Sequence, residues 1–200
     1  MKPKKFQRTA IVLGLVFSCA PLLFAAIGTE QQKETQAPAS AQEKKVLADF
    51  DRHVKDYLKQ RERAKAKLTP LSKDAKPEQI DAYQKSFVEA LQGMRAGTKP
   101  GYIFNTETAD FFRAIIKSDF RPDEKSEIRQ TILTADTKGV PLKVNYPYPE
   151  TKELTQIPPS VLLKFPQLPK EVKYRYVGRN LLLVDTDNNL IVDYMPNALP

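Results

Sequence analysis

Cysteine is almost absent from this chain: the single one, Cys19, lies inside an apolar run near the N-terminus. A chain cleaved beyond that run keeps none, so disulfides and thiolate metal sites are excluded, and stability has to come from a packed core. Histidine is just as scarce, with His53 alone. A zinc site normally wants three or four good ligands, and a serine or cysteine triad would have to be assembled around this one imidazole. Glycine numbers only seven, and neither a glycine-rich phosphate loop nor a G-x-S-x-G elbow is present. A concentrated basic stripe is missing as well. The net charge of +8 comes from 32 basic and 24 acidic residues, but four of the basic residues fall in the first eight positions. Removing residues 1–28 leaves 28 basic against 24 acidic residues, a scattered +4, and nucleic acid is not an expected partner.

What is there begins with targeting. Lys2, Lys4, Lys5 and Arg8 form a positive n-region, Ala10 to Ala26 an apolar run, and Ala26-Ile27-Gly28 places small residues at the cleavage positions before Thr29. This is the plan of a bacterial-type signal peptide over residues 1–28. Val16-Phe17-Ser18-Cys19 offers a lipoprotein box as an alternative. An uncleaved inner-membrane anchor is a second, since the run approaches the shortest bilayer-spanning length although Pro21 interrupts it. The expected location is the periplasm or the cell exterior, with membrane contact only through this segment. Residues 29–45, TEQQKETQAPASAQEKK, are polar and without apolar periodicity, and read as a disordered linker.

From Val46 a single α+β domain is expected over residues 46–200. Leu47, Phe50, Val54, Tyr57 and Leu58 recur at helical spacing, predicting a helix to about Leu68 that Pro70 stops. Pro77 and Glu78 open a second helix, with Ile80, Tyr83, Phe87, Leu91 and Met94 as its stripe and Gly97 past its end. Asn105 or Thr106 caps a third, whose Phe111, Phe112, Ile115, Ile116 and Phe120 are the densest apolar stripe in the chain. Pro122-Asp123 begins a fourth, carrying Ile128, Ile132 and Leu133. Seven prolines in the 29 residues from Pro141 to Pro169 then forbid long helices and central strands. The apolar residues between them predict a packed, extended strap with one short helix over Pro159 to Phe165.

The last thirty residues, EVKYRYVGRNLLLVDTDNNLIVDYMPNALP, read as a three-stranded antiparallel β-meander. A tight turn at Gly178-Arg179 sets Tyr176 opposite Leu181 and Tyr174 opposite Leu183; a second, at Asp187-Asn188, sets Leu183 opposite Val192 and Leu181 opposite Tyr194. One face then collects Tyr174, Tyr176, Leu181, Leu183, Leu190, Val192 and Tyr194 for the helices to cover. The other carries Arg175, Val177, Leu182, Val184, Ile191 and Asp193, half apolar and expected to be partly covered too.

Three groups invite a chemical reading. His53 shares a helix face with Asp49 and Asp56, two carboxylates and an imidazole of the kind that hold a divalent metal, although a solvated face with local ion pairs explains them more simply. Asp185-Thr186-Asp187-Asn188-Asn189 copies the opening of a calcium loop but has Leu190 where the sharp-turn glycine belongs and Pro196 where the glutamate belongs; a turn is the expectation. Arg175 and Arg179 with Tyr174 and Tyr176 form a cluster at a sheet edge suited to partner binding. The simpler reading pairs Arg175 with Asp193 across the meander and places the tyrosines in the core. No catalytic, cofactor-binding or metal-ligating residue is assigned.

Pro158-Pro159-Ser160 with Leu162, Tyr174 to Arg179, then Leu181, Leu183, Asp185 and Asn189 to Asp193 resemble an uncharacterised family of exported bacterial proteins of the acidobacterial type. The resemblance extends to Asp49–Tyr57 and Pro77–Gln79 and implies no activity. The meander by itself is similar to the C-terminal hairpin of the periplasmic RcnB-like family, which implies nickel and cobalt homeostasis. The leading expectation is a non-enzymatic, exported envelope protein binding a protein or cell-wall partner. A periplasmic metal-binding accessory protein is the first alternative and an unrecognised hydrolase the second.

Overall fold

Ser40 and Glu43 start the fold. The Ser40 hydroxyl accepts the Glu43 N–H at 3.1 Å while the Glu43 carboxylate accepts the Ser40 N–H at 2.6 Å, a reciprocal cap that opens helix α1, Ala41–Lys65. The computed structural model describes residues 40–119, 125–135, 137 and 139–199. The expected signal, its cleavage site and residues 29–39 of the expected linker lie outside the described residues, as do Phe120 and the Pro122-Asp123 helix start. Where the linker expectation can be compared, it ran too far: residues 41–45 are already helical, because the capping box nucleates a turn ahead of the first core side chain, Val46.

Helix α1 buries Val46, Phe50, His53, Val54, Tyr57, Arg61 and Ala64, one continuous stripe at helical spacing that includes two polar residues no apolar pattern would include. Helix α2, Pro77–Met94, is opened by Pro77 and buries only Phe87 and Leu91. Its expected stripe is therefore too long: Ile80 is exposed, because the first turns of α2 extend beyond the core they were expected to cover. Asn105 caps helix α3, Thr106–Asp119, by accepting the Thr108 N–H at 3.0 Å, and Phe112 and Ile116 on it are fully buried. Helix α4, Lys125–Thr134, buries Ile132 but leaves Leu133 exposed. The short helix of the strap, α5, spans only Pro159–Leu162.

Strands β1, Val172–Val177, β2, Asn180–Asp185, and β3, Ile191–Met195, form an antiparallel sheet in the order β1-β2-β3. The first hairpin has the expected register, Tyr176 opposite Leu181 and Tyr174 opposite Leu183, and Gly178 takes the positive φ, 53°, that its turn requires. The second hairpin does not. Val184 pairs with Ile191 but Leu183 pairs with Asp193, so β3 carries one extra residue, Val192. Val192 and Asp193 both turn toward the helices, alternation restarts one residue late, and Met195 takes the core place expected of Tyr194. Opposite Leu181 stands Met195, and opposite Leu182 stands Tyr194.

The helix-facing side of the sheet closes on an aromatic centre. Phe112 lies 5.3 Å from Phe50, 5.3 Å from Phe104, 4.7 Å from Phe165 and 5.6 Å from Tyr174, ring centre to ring centre. Burying each such side chain stabilises the fold by roughly 1.5–3 kcal/mol. The second side is covered by the strap, through Tyr148, Val140, Leu142 and Leu154 against Val177, Leu182, Val184 and Ile191. The strap seals the sheet as it goes. Asn145, Tyr146 and Tyr148 bond the β3 side at Ile191 and Asn189; the chain then crosses under the sheet and pairs with β1 once, through Thr155 and Tyr176.

Candidate functional site

Most of the polar residues that draw attention in the sequence hold the scaffold together. Asp185, fully buried at the end of β2, accepts the Tyr57 hydroxyl and the Arg61 Nε, both at 2.7 Å, and so ties α1 to the sheet. Asp187 accepts Arg61 and, at 3.0 Å, the Lys65 Nζ. Burial pushes the Asp187 carboxyl up, but Lys65 and Arg61 together outweigh it and hold it below its ordinary value. The loop's remaining bonds are those of a turn: the Asp187 N–H donates to Asp185 Oδ1 and the Leu190 N–H to Asn188 Oδ1. Both acidic side chains of the calcium-like stretch are thus committed to cations of α1.

Asp193 is the residue the sequence misplaced most. A bond to Arg175 was expected, yet the two lie on strands that are not neighbours, and the bulge at Val192 turns Asp193 inward. Its Oδ1 accepts the N–H groups of Gly101 and Tyr194, and its Oδ2 those of Ile103 and Phe104, pinning the segment ahead of α3 to β3. Burial pushes this carboxyl above its ordinary value, against the opposing pull of the four N–H groups. Arg95, equally buried, has Asn145, Gln60 and the Val192 carbonyl as partners and lies 4.9 Å over the Tyr57 ring. Asp193 and Arg95 are both buried away from solvent.

The helix-face trio is divided in the same way. Asp49 is held by Arg52, which lowers its carboxyl below the ordinary value, and it accepts the Asn105 amide at 2.9 Å. His53 Nδ1 stands 3.5 Å from Asp49 Oδ2 while its ring lies 4.6 Å from that of Tyr102. Asp56 pairs with Lys59. Among the described residues no group of three or more His, Cys, Asp or Glu side chains converges on a point where a metal ion would sit.

An open groove runs along β1. Between Thr155 and Pro169 the strap swings away from the sheet edge to make α5, then returns to accept the Val172 N–H. The gap is a cavity of about 580 Å³. Because the main chain of Tyr176 bonds outward to Thr155, the alternation of an antiparallel strand turns the main chain of Tyr174 outward as well, into this gap. The Tyr174 carbonyl accepts the Arg175 guanidinium at 2.7 Å, and by the same alternation the Tyr174 N–H faces the groove that Tyr174 lines. One wall is apolar: Ile157, Phe165 and Leu168 at its base, with Leu162 and Leu163 at the rim. Leu163 is 85% exposed, the largest exposure among the big apolar side chains described. On the other side of the strand stand Lys173 and Arg175. No acidic residue lines the groove, and neither cation meets a carboxylate within 4.0 Å among the described residues. Burial lowers the pKa of both from the ordinary range, and the Arg175 charge lowers that of Lys173 further.

Of the sequence cluster, Tyr174 and Tyr176 are therefore core, Arg175 lines the groove, and Arg179 belongs to the hairpin turn, where it bonds the Leu199 carbonyl. Leu163 and Lys173 carry no functional expectation in the sequence, and Leu162 enters only through the family resemblance. The signal for the leucines was present: Val161-Leu162-Leu163 is an apolar triplet around a one-turn helix that can bury a single face, and Val161 takes it. Comparison with protein-family models, with curated proteins and with solved structures finds no match to this chain.

Proposed function

We propose that this chain is an exported, non-enzymatic binding protein that takes an extended segment of a partner polypeptide along the outer edge of β1. The observation that carries the reading is the interrupted seal of that edge. The strap bonds the β3 side at Asn189 and Ile191 and covers the second face, but leaves β1 open beside Tyr174, where outward-turned main chain, the exposed Leu163 and two cations share one groove. A sheet edge left open beside an apolar wall is the geometry of strand addition, in which main-chain bonds supply affinity and side-chain pockets supply selectivity. Export is supported by the n-region from Lys2 to Arg8 and the apolar run that follows it.

The test is selection of linear peptides on the native protein, followed by hydrogen exchange. Bound peptide slows exchange of the Tyr174 amide, and Leu163→Asp, at an exposed site, removes binding without lowering the melting temperature. Peptides that bind Leu163→Asp as well as the parent, or that protect amides away from β1, overturn the reading.

A further inference from the structure

The chemistry of the occupant is written on the two sides of the groove, on the premise that the β1 edge takes a strand. An added strand presents successive side chains to opposite faces of the sheet. On the helix-facing side they meet Leu162, Leu163 and Phe165, which continue the apolar core through Ile157 and Val161. On the strap-facing side they meet Lys173 and Arg175, whose positions alternate with those of the core tyrosines. We infer that the segment bound here alternates aliphatic and acidic side chains, the aliphatic ones lying on the leucine wall and the carboxylates reaching Lys173 and Arg175.

A second copy of this chain does not meet that description. Two β1 edges related by a two-fold axis at Tyr174 would set Lys173 of each directly opposite Arg175 of the other, and like charges placed opposite one another destabilise a pair. A neutral apolar strand fits one wall and brings no carboxylate to the other, where Lys173 has the Asn189 side-chain oxygen at 3.1 Å and Arg175 the Tyr174 carbonyl at 2.7 Å, neither of them an opposite charge. A segment with a carboxylate at every second position satisfies both walls.

The test uses fluorescein-labelled heptapeptides with blocked C-termini: Val-Glu-Val-Glu-Val-Glu-Val, the same peptide with Gln for Glu, and the same with Lys for Glu. Each is titrated with the full folded domain and read by fluorescence polarisation. The Glu peptide is expected to bind at least about tenfold more tightly than the Gln peptide, as two partly exposed ion pairs allow, with the gap closing as salt is raised. In the double variant Lys173→Glu/Arg175→Glu the order of the Glu and Lys peptides reverses. Equal binding of the Glu and Gln peptides overturns the carboxylate inference while leaving strand addition standing; so does an unreversed order in the double variant. No binding of any of the three overturns both. Since charge reversal at half-buried positions can disturb folding, Leu163→Asp serves as the second variant, and it must weaken the Glu peptide if the leucine wall is used.

Discussion

At the scale of single residues, the largest effects belong to buried polar groups that are fully engaged. Asp193 is the clearest, because each carboxylate oxygen accepts two N–H groups. Asparagine has the same size but only one accepting atom. Its amide nitrogen would face two main-chain donors, so Asp193→Asn is expected to destabilise the fold by about 2–4 kcal/mol, read as a lowered urea midpoint at unchanged slope. Asp187 gives the pH counterpart. Its folded pKa lies below the ordinary 3.8, so the unfolded chain takes up the proton first, and the stability Asp187 contributes is present above about pH 4 and lost as pH falls through the lowered value. Melting temperatures measured from pH 6 down to pH 2 should therefore fall less steeply for Asp187→Asn than for the parent. Equal slopes would show that Lys65 and Arg61 leave Asp187 unaffected in solution.

At the scale of elements, the start of α1 rests on two short-range bonds in a stretch, residues 40–45, that is exposed throughout. Ser40→Ala removes the acceptor for the Glu43 N–H, and a loss of about 1 kcal/mol in thermal unfolding is expected, with helicity lost from the first turn by amide exchange. The same bonds explain an error of the sequence reading. Apolar periodicity begins at Val46, so a helix judged by periodicity begins there too, whereas Ser40-Ala41-Gln42-Glu43 carries the start in a local polar pattern. The first hairpin was legible to the residue because its turn fixes its register, with Gly178 where positive φ is needed. The second was legible only as far as Leu190. Nothing in Leu190-Ile191-Val192-Asp193-Tyr194 marks an extra residue, since the bulge is selected by what Asp193 reaches on the far side of the core, the N–H groups of residues 101, 103 and 104. Arg61 and Arg95 were illegible for a related reason: charged side chains enter a core only when long-range partners are in place, and those partners sit up to 126 residues away. The groove was half visible, Arg175 through its neighbours and Leu163 only as part of an apolar triplet, because a cavity at a sheet edge depends on where the strap leaves the sheet.

At the scale of the whole molecule, the sheet is protected unevenly. The strap bonds the outer side of β3 at Ile191 and covers the second face, but meets β1 only at the Thr155–Tyr176 bridge and again where Pro169 accepts the Val172 N–H, so the edge beside Tyr174 is guarded by charge and not by chain. Lysine and arginine on an open edge oppose pairing between copies, and the Arg175 guanidinium that bonds the Tyr174 carbonyl leaves the Tyr174 N–H to a strand that brings carboxylates. The two roles separate under mutation. In Lys173→Val/Arg175→Val the repulsion across a two-fold centred on Tyr174 is gone, both outward positions become β-favouring, and the leucine rim is still exposed. Sedimentation velocity over a hundredfold range of concentration should show the parent as a single monomeric species and the double variant as a concentration-dependent monomer and dimer. Adding Leu163→Asp to the double variant should return it to monomer, because the added charge falls at the rim that the second copy would cover. A parent that dimerises as readily as the double variant would mean that the cations at this edge are not what keeps copies of the chain apart.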